Sequence, residues 1–230
     1  MTPRTQPTTS PVTALDLGIS AVAFVAVRYG AAPYFDPNLV GPVAVITALV
    51  AAIWRLRVRG TRWADLGLRR PRRLWTVPLW VLALFATTIA LSAVMDKAAP
   101  FLHAPPPNMA RFAGVEGNPI ELAKILVISW TTAAFGEELL FRGFLRAGLE
   151  RLLGGMWAAP LIAVIAQAVL FGLAHGYQGP RGMVMAGGVG LIYGIGYLLN
   201  GRNLWPLVIA HGVTDSLAMV VLFLGLKDLY

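Results

Sequence analysis

The sequence lacks cysteine altogether and has little charge. The absence of cysteine excludes disulfides, a thiolate nucleophile and cysteine metal ligands. Only 13% of the 230 residues are charged and 57% are hydrophobic, whereas soluble domains carry about 25% charged residues. The mean hydropathy is +0.67. These values predict an integral membrane protein. Because no long polar linker interrupts the chain, residues 1–230 are expected to form a single membrane domain.

Long apolar stretches predict the fold class. A helix needs about 20 mostly apolar residues to cross a bilayer, and about seven stretches come near this length. The first contains Asp16 and Arg28 and lacks a clear small-residue cleavage site, so it is interpreted as a retained helix rather than a signal peptide. We therefore predict an all-α, polytopic transmembrane bundle of about seven helices, within a range of six to eight. The stretches lie near 12–29, 39–54, 74–95, from 122 onwards, 156–175, 183–199 and 204–226.

Positive charge is concentrated in one loop. The formal net charge is +8, and eight arginines lie between Arg55 and Arg73. The positive-inside rule places that loop in the cytoplasm. Counting crossings then places the amino terminus, Arg146 and Arg151 on the same side. The basic charge is thus attributed to membrane topology, and no nucleic-acid partner is predicted.

The stretch "AAFGEELLFRG", from Ala133 to Gly143, places three charges inside an apolar run. Ionisable residues at membrane depth usually face the interior of a bundle and are functional. Residues four apart share a helix face, which predicts an ion pair between Glu138 and Arg142. Glu137 is turned by about 100° from Glu138. The spacing therefore predicts one paired carboxylate and one free carboxylate.

Two of the three histidines also lie in apolar runs. His175 ends the fifth run in "LFGLAHG", one turn after Phe171, and His211 lies in "LVIAHGVTD", sharing a face with Asp215. If the chain turns at Gly154 and Gly155, Glu137 and His175 both lie about 25–30 Å from that turn, level with each other in an antiparallel helix pair. His103, in a proline-rich loop, is interpreted as incidental.

Two chemistries fit one free glutamate, two histidines and an aspartate. The carboxylate can act as a general base on water while histidines donate to an oxyanion. Alternatively, Glu137, His175, His211 and Asp215 can hold a zinc ion or another divalent metal that activates water. A serine nucleophile is less supported, because Ser129 and Ser216 have no base partner at a suitable spacing. A structural ion pair with packing histidines, a non-enzymatic immunity or scaffold protein, and an ion carrier stay open as alternatives.

Three motifs resemble a known family. "EELLFR" fits two glutamates, three residues and an arginine; "FGLAH" fits phenylalanine, three residues and histidine; "HGVTD" fits histidine, three residues and asparagine or aspartate. In this order they resemble the CPBP family of intramembrane proteases, the CAAX-protease and bacteriocin-processing group that includes the Ras-converting prenyl-protein endopeptidases. "ADLGLRRP" also resembles a lead-in of bacterial members. The clear similarity spans Ala133 to Asp215, within a protease-like core of about 121–226.

The resemblance implies an endopeptidase and a role for each motif residue. Glu137 would activate water with His175 beside it, and His211 and Asp215 would stabilise the oxyanion. Glu138, Arg142 and Phe171 would support them. An ionised aspartate cannot donate to an oxyanion, so Asp215 must be protonated, orient His211 or bind a metal. No cofactor is assigned; an aspartate at position 215 slightly favours a site with Zn²⁺ or another divalent metal over a metal-free site.

The expected partners are membrane lipid and a protein or peptide substrate. The composition suggests the inner membrane of a bacterium, with the amino terminus in the cytoplasm. The same crossing count places His175 towards the outer end of its helix, whereas prenyl-protein processing in the family is cytoplasmic. A miscounted crossing, access from mid-membrane, or a substrate other than a prenylated protein would each reconcile the two. The oligomeric state is not predicted.

Overall fold

The computed structural model describes residues 12–101, 103 and 105–226. The predicted cytoplasmic position of the amino terminus concerns a segment outside these residues. Within them the chain is entirely helical, with no strand, and the predicted all-α bundle is confirmed. The α-helices are α1 (Ala14–Val25), α2 (Pro37–Val58), α3 (Thr76–Ala98), α4 (Pro119–Ile128), α5 (Arg146–Leu152), α6 (Ala159–Ala174), α7 (Gly179–Leu199) and α8 (Trp205–Phe223).

One predicted helix is wound in an unexpected way. Between α4 and α5 the chain continues without a break as a π-helix, Ser129–Leu145, which carries the glutamate doublet. The predicted angle of about 100° between Glu137 and Glu138 depends on 3.6 residues per turn. In a π-helix the hydrogen bonds run from i to i+5, and such segments are rare and often occur at functional sites. The α4, π-helix and α5 segments form one rod, so the bundle has seven rods within the described residues.

Four helices are long and apolar enough to cross a membrane by length and composition: α2, α3, α7 and α8. Helix α6 is apolar but shorter, at 16 residues. The first apolar run divides into α1 and a short π-helix, Ala26–Gly30. Its aspartate is neutralised, since Asp16 is fully buried and forms ion pairs with Arg55 on α2 at 2.7 Å and with Arg59, directly after α2, at 2.9 Å.

Small residues bring α6 and α7 into close contact. A row of small residues on α7, Ala186, Gly190 and Gly194, faces α6. A Cβ added to Gly190 would lie 3.0 Å from the Cα of Ala168, and one added to Gly194 would lie 2.6 Å from Val164. Across the contact, Gln167 donates from Nε2 to the Gly190 carbonyl at 2.9 Å. Glycine and alanine at four-residue spacing allow two helix backbones to approach each other closely.

The arginine-rich loop is docked onto the connection between α7 and α8. Tyr197 donates its hydroxyl to the Leu66 carbonyl at 2.9 Å, and the Leu204 N–H donates to the Gly67 carbonyl at 3.0 Å. Gly67 has φ +102°, and an added Cβ would lie 2.7 Å from the Arg202 carbonyl oxygen, so only glycine fits. This end of the bundle is therefore fixed by backbone contacts.

Candidate active site

A cavity of about 570 Å³ lies at the opposite end of the bundle from the arginine-rich loop. Its walls come from the beginning of α2, the end of α6, the π-helix, α8 and the loop Asn108–Phe112. All four residues of the predicted catalytic group line it: Glu137, His175, His211 and Asp215. The folded chain thus brings together side chains that lie on three separate rods.

Glu138 is the centre of a buried charge cluster behind the cavity. Its Oε1 lies 3.1 Å from Nη1 of Arg142, and both side chains are fully buried. The same Oε1 accepts a hydrogen bond from Nδ1 of His211 at 2.9 Å. The predicted pair with Arg142 is present, but Glu138 also connects the π-helix to α8. A histidine partner for Glu138 is not predicted from the sequence spacing.

Two aromatic rings cover the guanidinium of Arg142. Its central carbon lies 4.2 Å from the ring centroid of Phe171 and 5.6 Å from that of Tyr193. The Arg142 nitrogens make no well-aligned hydrogen bond, so the cation is stabilised by the carboxylate and the aromatic faces. Cation–π contacts of desolvated groups stabilise by about 2 kcal/mol or more. Phe171 therefore contacts Arg142 of the first motif as well as His175 of its own motif.

His175 is held by its own helix. Its Nδ1 lies 2.8 Å from the Phe171 carbonyl oxygen, and its ring packs 4.6 Å from the Phe171 ring. A carbonyl can only accept, so Nδ1 carries the proton and, in the neutral ring, Nε2 keeps its lone pair. His175 is therefore oriented as an acceptor at the cavity.

His211 lies between two carboxylates. Its Nδ1 donates to Glu138, and its Nε2 is 3.7 Å from Oδ2 of Asp215 on the same face of α8. The ring of Tyr193 contacts it edge-on, with centroids 6.0 Å apart. Two sides of the imidazole are thus fixed, and only the Nε2 side faces the cavity and Asp215.

Glu137 differs from Glu138 in having no partner of its own. Its Oε2 is buried and makes no hydrogen bond within the described residues, yet the side chain lines the cavity. A buried polar oxygen left unpaired costs about 1–3 kcal/mol. A carboxylate kept in this way, next to a space large enough for substrate, is available to bind a water molecule.

The predicted metal site was tested against the positions of its donors. Both histidines have the orientation that metal ligands adopt, with Nδ1 donating to a carbonyl or a carboxylate. However, no group of three His, Asp or Glu side chains among the described residues is close enough together to hold an ion. The described residues as placed do not fit a metal centre.

Four residues near the site were not predicted from the sequence. Arg28, Arg111 and Tyr177 line the cavity, and Tyr193 contacts both Arg142 and His211. Arg28 carried a weak signal as a charge in an apolar run. Tyr177 and Arg111 lie in short 3-10 segments, Gly176–Gln178 and Ala110–Val115, whose positions depend on tertiary packing.

Residues 119–217 match the family model described as Type II CAAX prenyl endopeptidase Rce1-like. The matched region, 99 of the 230 residues, is similar to this family. The match agrees with the family that the three motifs resemble, and every residue of those motifs lies inside the matched region. No curated protein and no solved structure matches the chain significantly. The family supports a CAAX-type intramembrane endopeptidase in general, and together with the four apolar helices it indicates an integral membrane protein.

Proposed function

We propose that this protein hydrolyses peptide bonds with a water molecule activated by Glu137. The observation that carries the proposal is the cavity in which Glu137, with a buried and unpartnered carboxylate oxygen, meets His175 and His211. Glu138 also has a buried oxygen without a hydrogen bond, Oε2, but its Oε1 contacts Arg142 and His211 and its side chain does not line the cavity. Of the two adjacent glutamates, only Glu137 lines the cavity where substrate and water would meet.

In the first step Glu137 takes a proton from water as the water oxygen adds to the scissile carbonyl carbon. The carbonyl π electrons move to its oxygen and give a tetrahedral oxyanion. His175 presents Nε2 as a second acceptor for the same water, because its Nδ1 proton is donated to the Phe171 carbonyl. The oxyanion then collapses, the C–N bond breaks, and protonated Glu137 returns its proton to the leaving amine. General base catalysis of this kind contributes about 10²–10⁴-fold.

His211 is the donor to the oxyanion. Because its Nδ1 donates a proton to Glu138, only Nε2 can donate to the oxyanion of the substrate. Both ring nitrogens then carry a proton, so His211 acts as an imidazolium. Asp215, 3.7 Å from Nε2, supplies negative charge beside this imidazolium. Of the alternatives for an aspartate at this position, orientation of His211 is the one that the contact favours.

The charge distribution favours access from the non-cytoplasmic side of a bacterial inner membrane. The loop with eight arginines and the cavity lie at opposite ends of the bundle. If the loop is cytoplasmic, as the positive-inside rule predicts, the cavity opens towards the other side. The substrate that fits this orientation is a membrane or exported polypeptide rather than a prenylated cytoplasmic protein.

Cleavage of a peptide library by purified protein in lipid bilayers, analysed by mass spectrometry, tests the proposal. Wild type and Glu121→Gln should release the same fragments and Glu137→Gln none, since Glu121 is an exposed glutamate paired with Lys124 on α4. Equal cleavage by Glu137→Gln would overturn the assignment. A chelator arm separates the two chemistries: cleavage that persists supports glutamate-activated water, and cleavage lost and restored by zinc assigns the activation to a metal. A scaffold or immunity protein without enzyme activity predicts no fragments from any variant.

A further inference from the structure

Two arginines on the cavity wall have no part in the proposed chemistry. Arg28 lies in the short π-helix after α1, and Arg111 lies in the segment Ala110–Val115. Neither forms an ion pair within the described part of the chain. Other cations at this end of the bundle do, since Arg181 pairs with Asp96 and Lys124 with Glu121. Arg28 and Arg111 therefore face the cavity without an ion-pair partner among the described residues.

Both guanidinium groups lie against one aromatic ring. The central carbon of Arg111 is 4.8 Å from the ring centroid of Tyr177, and that of Arg28 is 5.9 Å from it. Two like charges at one ring repel each other, and an anion bound near both would offset that repulsion. Tyr177 follows closely after His175, and the two rings are 5.8 Å apart. Through Tyr177, the two arginines therefore contact the segment that carries His175.

The guanidinium of Arg111 forms one hydrogen bond to the protein and keeps other N–H donors without a partner. Its Nη2 donates to the Asn38 carbonyl at 3.2 Å, while its Nε is buried without a hydrogen-bond partner. The loop that carries it is fixed by the Asn108 N–H, which donates to the Gln178 carbonyl at 3.0 Å. A guanidinium has five donors in a planar fork that matches a carboxylate. Arg111 is therefore held in place with most of its donors available.

We propose that Arg28 and Arg111 bind a carboxylate of the peptide substrate. This inference rests on the proposed endopeptidase function. Since Tyr177 contacts both His175 and Arg111, the guanidinium lies at most about 11 Å from the His175 ring, or about three extended residues. The carboxylate therefore belongs within about three residues of the bond that is cut. An acidic side chain and a free carboxyl terminus supply the same chemistry.

Three peptides that differ only in this group test the site. The first has a glutamate side chain and an amidated carboxyl terminus, the second has glutamine and an amidated terminus, and the third has glutamine and a free terminus. Wild type should cleave one carboxylate peptide about tenfold or more faster in kcat/KM than the neutral one. The favoured peptide identifies which carboxylate is bound.

Arginine variants show whether this preference comes from the proposed pair. Arg28→Gln and Arg111→Gln should reduce the ratio of carboxylate to neutral kcat/KM towards one, mainly through KM, and Arg111→Lys should keep part of it. The matched control Lys124→Gln, which removes an exposed charge at the same end, should keep the full ratio. The proposal is overturned if the wild type shows no preference or if the arginine variants keep it. It is also overturned if these variants change only the dependence on anionic lipid, which would indicate a headgroup site.

Direct binding separates failure of the site from failure of the proposed function. Fluorescent versions of the three peptides are titrated onto Glu137→Gln protein with and without Arg111→Gln. Carboxylate-selective binding that depends on Arg111, with no cleavage by the wild type, would support the site and overturn the endopeptidase mechanism. Cleavage by the wild type without carboxylate-selective binding would support the endopeptidase mechanism and overturn the carboxylate site.

Discussion

Replacing Arg142 with methionine should strongly destabilise the protein, because the change leaves the buried Glu138 without its cation. Both side chains are fully buried, 3.1 Å apart. Removing one partner of a buried ion pair costs about 3–5 kcal/mol. The contacts of the guanidinium with Phe171 and Tyr193 are lost as well. For a chain of this size each kcal/mol corresponds to about 2–4 °C in Tm, so the Tm of Arg142→Met should fall by about 10 °C or more.

The assay is thermal unfolding in detergent or bicelles, followed by tryptophan fluorescence. The control is Lys124→Met, which breaks an ion pair whose side chains are 62% and 42% exposed. Exposed pairs contribute about 0–1 kcal/mol, so the Tm of this variant should change by no more than a few degrees. The double variant Glu138→Gln/Arg142→Met also removes the uncompensated charge. It should be more stable than Arg142→Met alone.

Two results would refute this reasoning. A Tm for Arg142→Met equal to that of Lys124→Met would mean that the buried pair contributes no more than a surface pair. A double variant whose Tm loss equals the sum of the single losses would mean that Glu138 and Arg142 are not energetically coupled.

Three further predictions concern the rest of the fold. Burial alone would raise the pKa of Glu150, but its hydrogen bonds and charge interactions with Arg202 and Arg146 hold that pKa below its ordinary value. The resulting stabilisation is present above the unfolded pKa of 4.5 and is lost as the pH falls through the lower folded pKa. Between about pH 6 and about pH 3, on either side of the ordinary carboxyl pKa of roughly 4, the Tm of Glu150→Gln should therefore fall less than that of wild type, and equal slopes would contradict this. Gly172→Ala should lower Tm, because the added Cβ would lie 2.7 Å from the Met183 carbonyl oxygen on α7. The control Gly18→Ala, whose Cβ would have nothing within 4 Å, should leave Tm unchanged or raise it slightly. A lower Tm for Gly18→Ala than for Gly172→Ala would count against the α6–α7 contact. Since the chain has no native cysteine, single cysteines at Gly114 and Met156 can be labelled in intact cells; an impermeant maleimide should reach Gly114→Cys and not Met156→Cys, and the opposite pattern would invert the proposed orientation.

Much of the fold follows from local patterns. The long apolar runs predicted the rods, and the four-residue spacing of Glu138 and Arg142 predicted their pairing, because both depend on one helix. The four-residue spacing of Ala186, Gly190 and Gly194 is likewise a local pattern that is typical of a close helix contact. These features could be derived because their causes lie within single segments of the sequence.

The features that could not be derived depend on contacts between segments. The bond from His211 to Glu138 joins α8 to the π-helix, 73 positions apart, and spacing within a helix carries no signal for it. The π-helical winding of Ser129–Leu145 also has no pattern of its own. The approach of Arg28 and Arg111 to Tyr177 joins three non-adjacent segments.

The central claim is that Glu137 activates the attacking water. The most direct test is the single-turnover rate of peptide cleavage by Glu137→Gln, compared with Glu121→Gln at equal Tm. We expect a loss of about 10²-fold or more for Glu137→Gln, in line with removal of a general base, and an unchanged rate for Glu121→Gln. A rate for Glu137→Gln within a few-fold of the control would contradict the account.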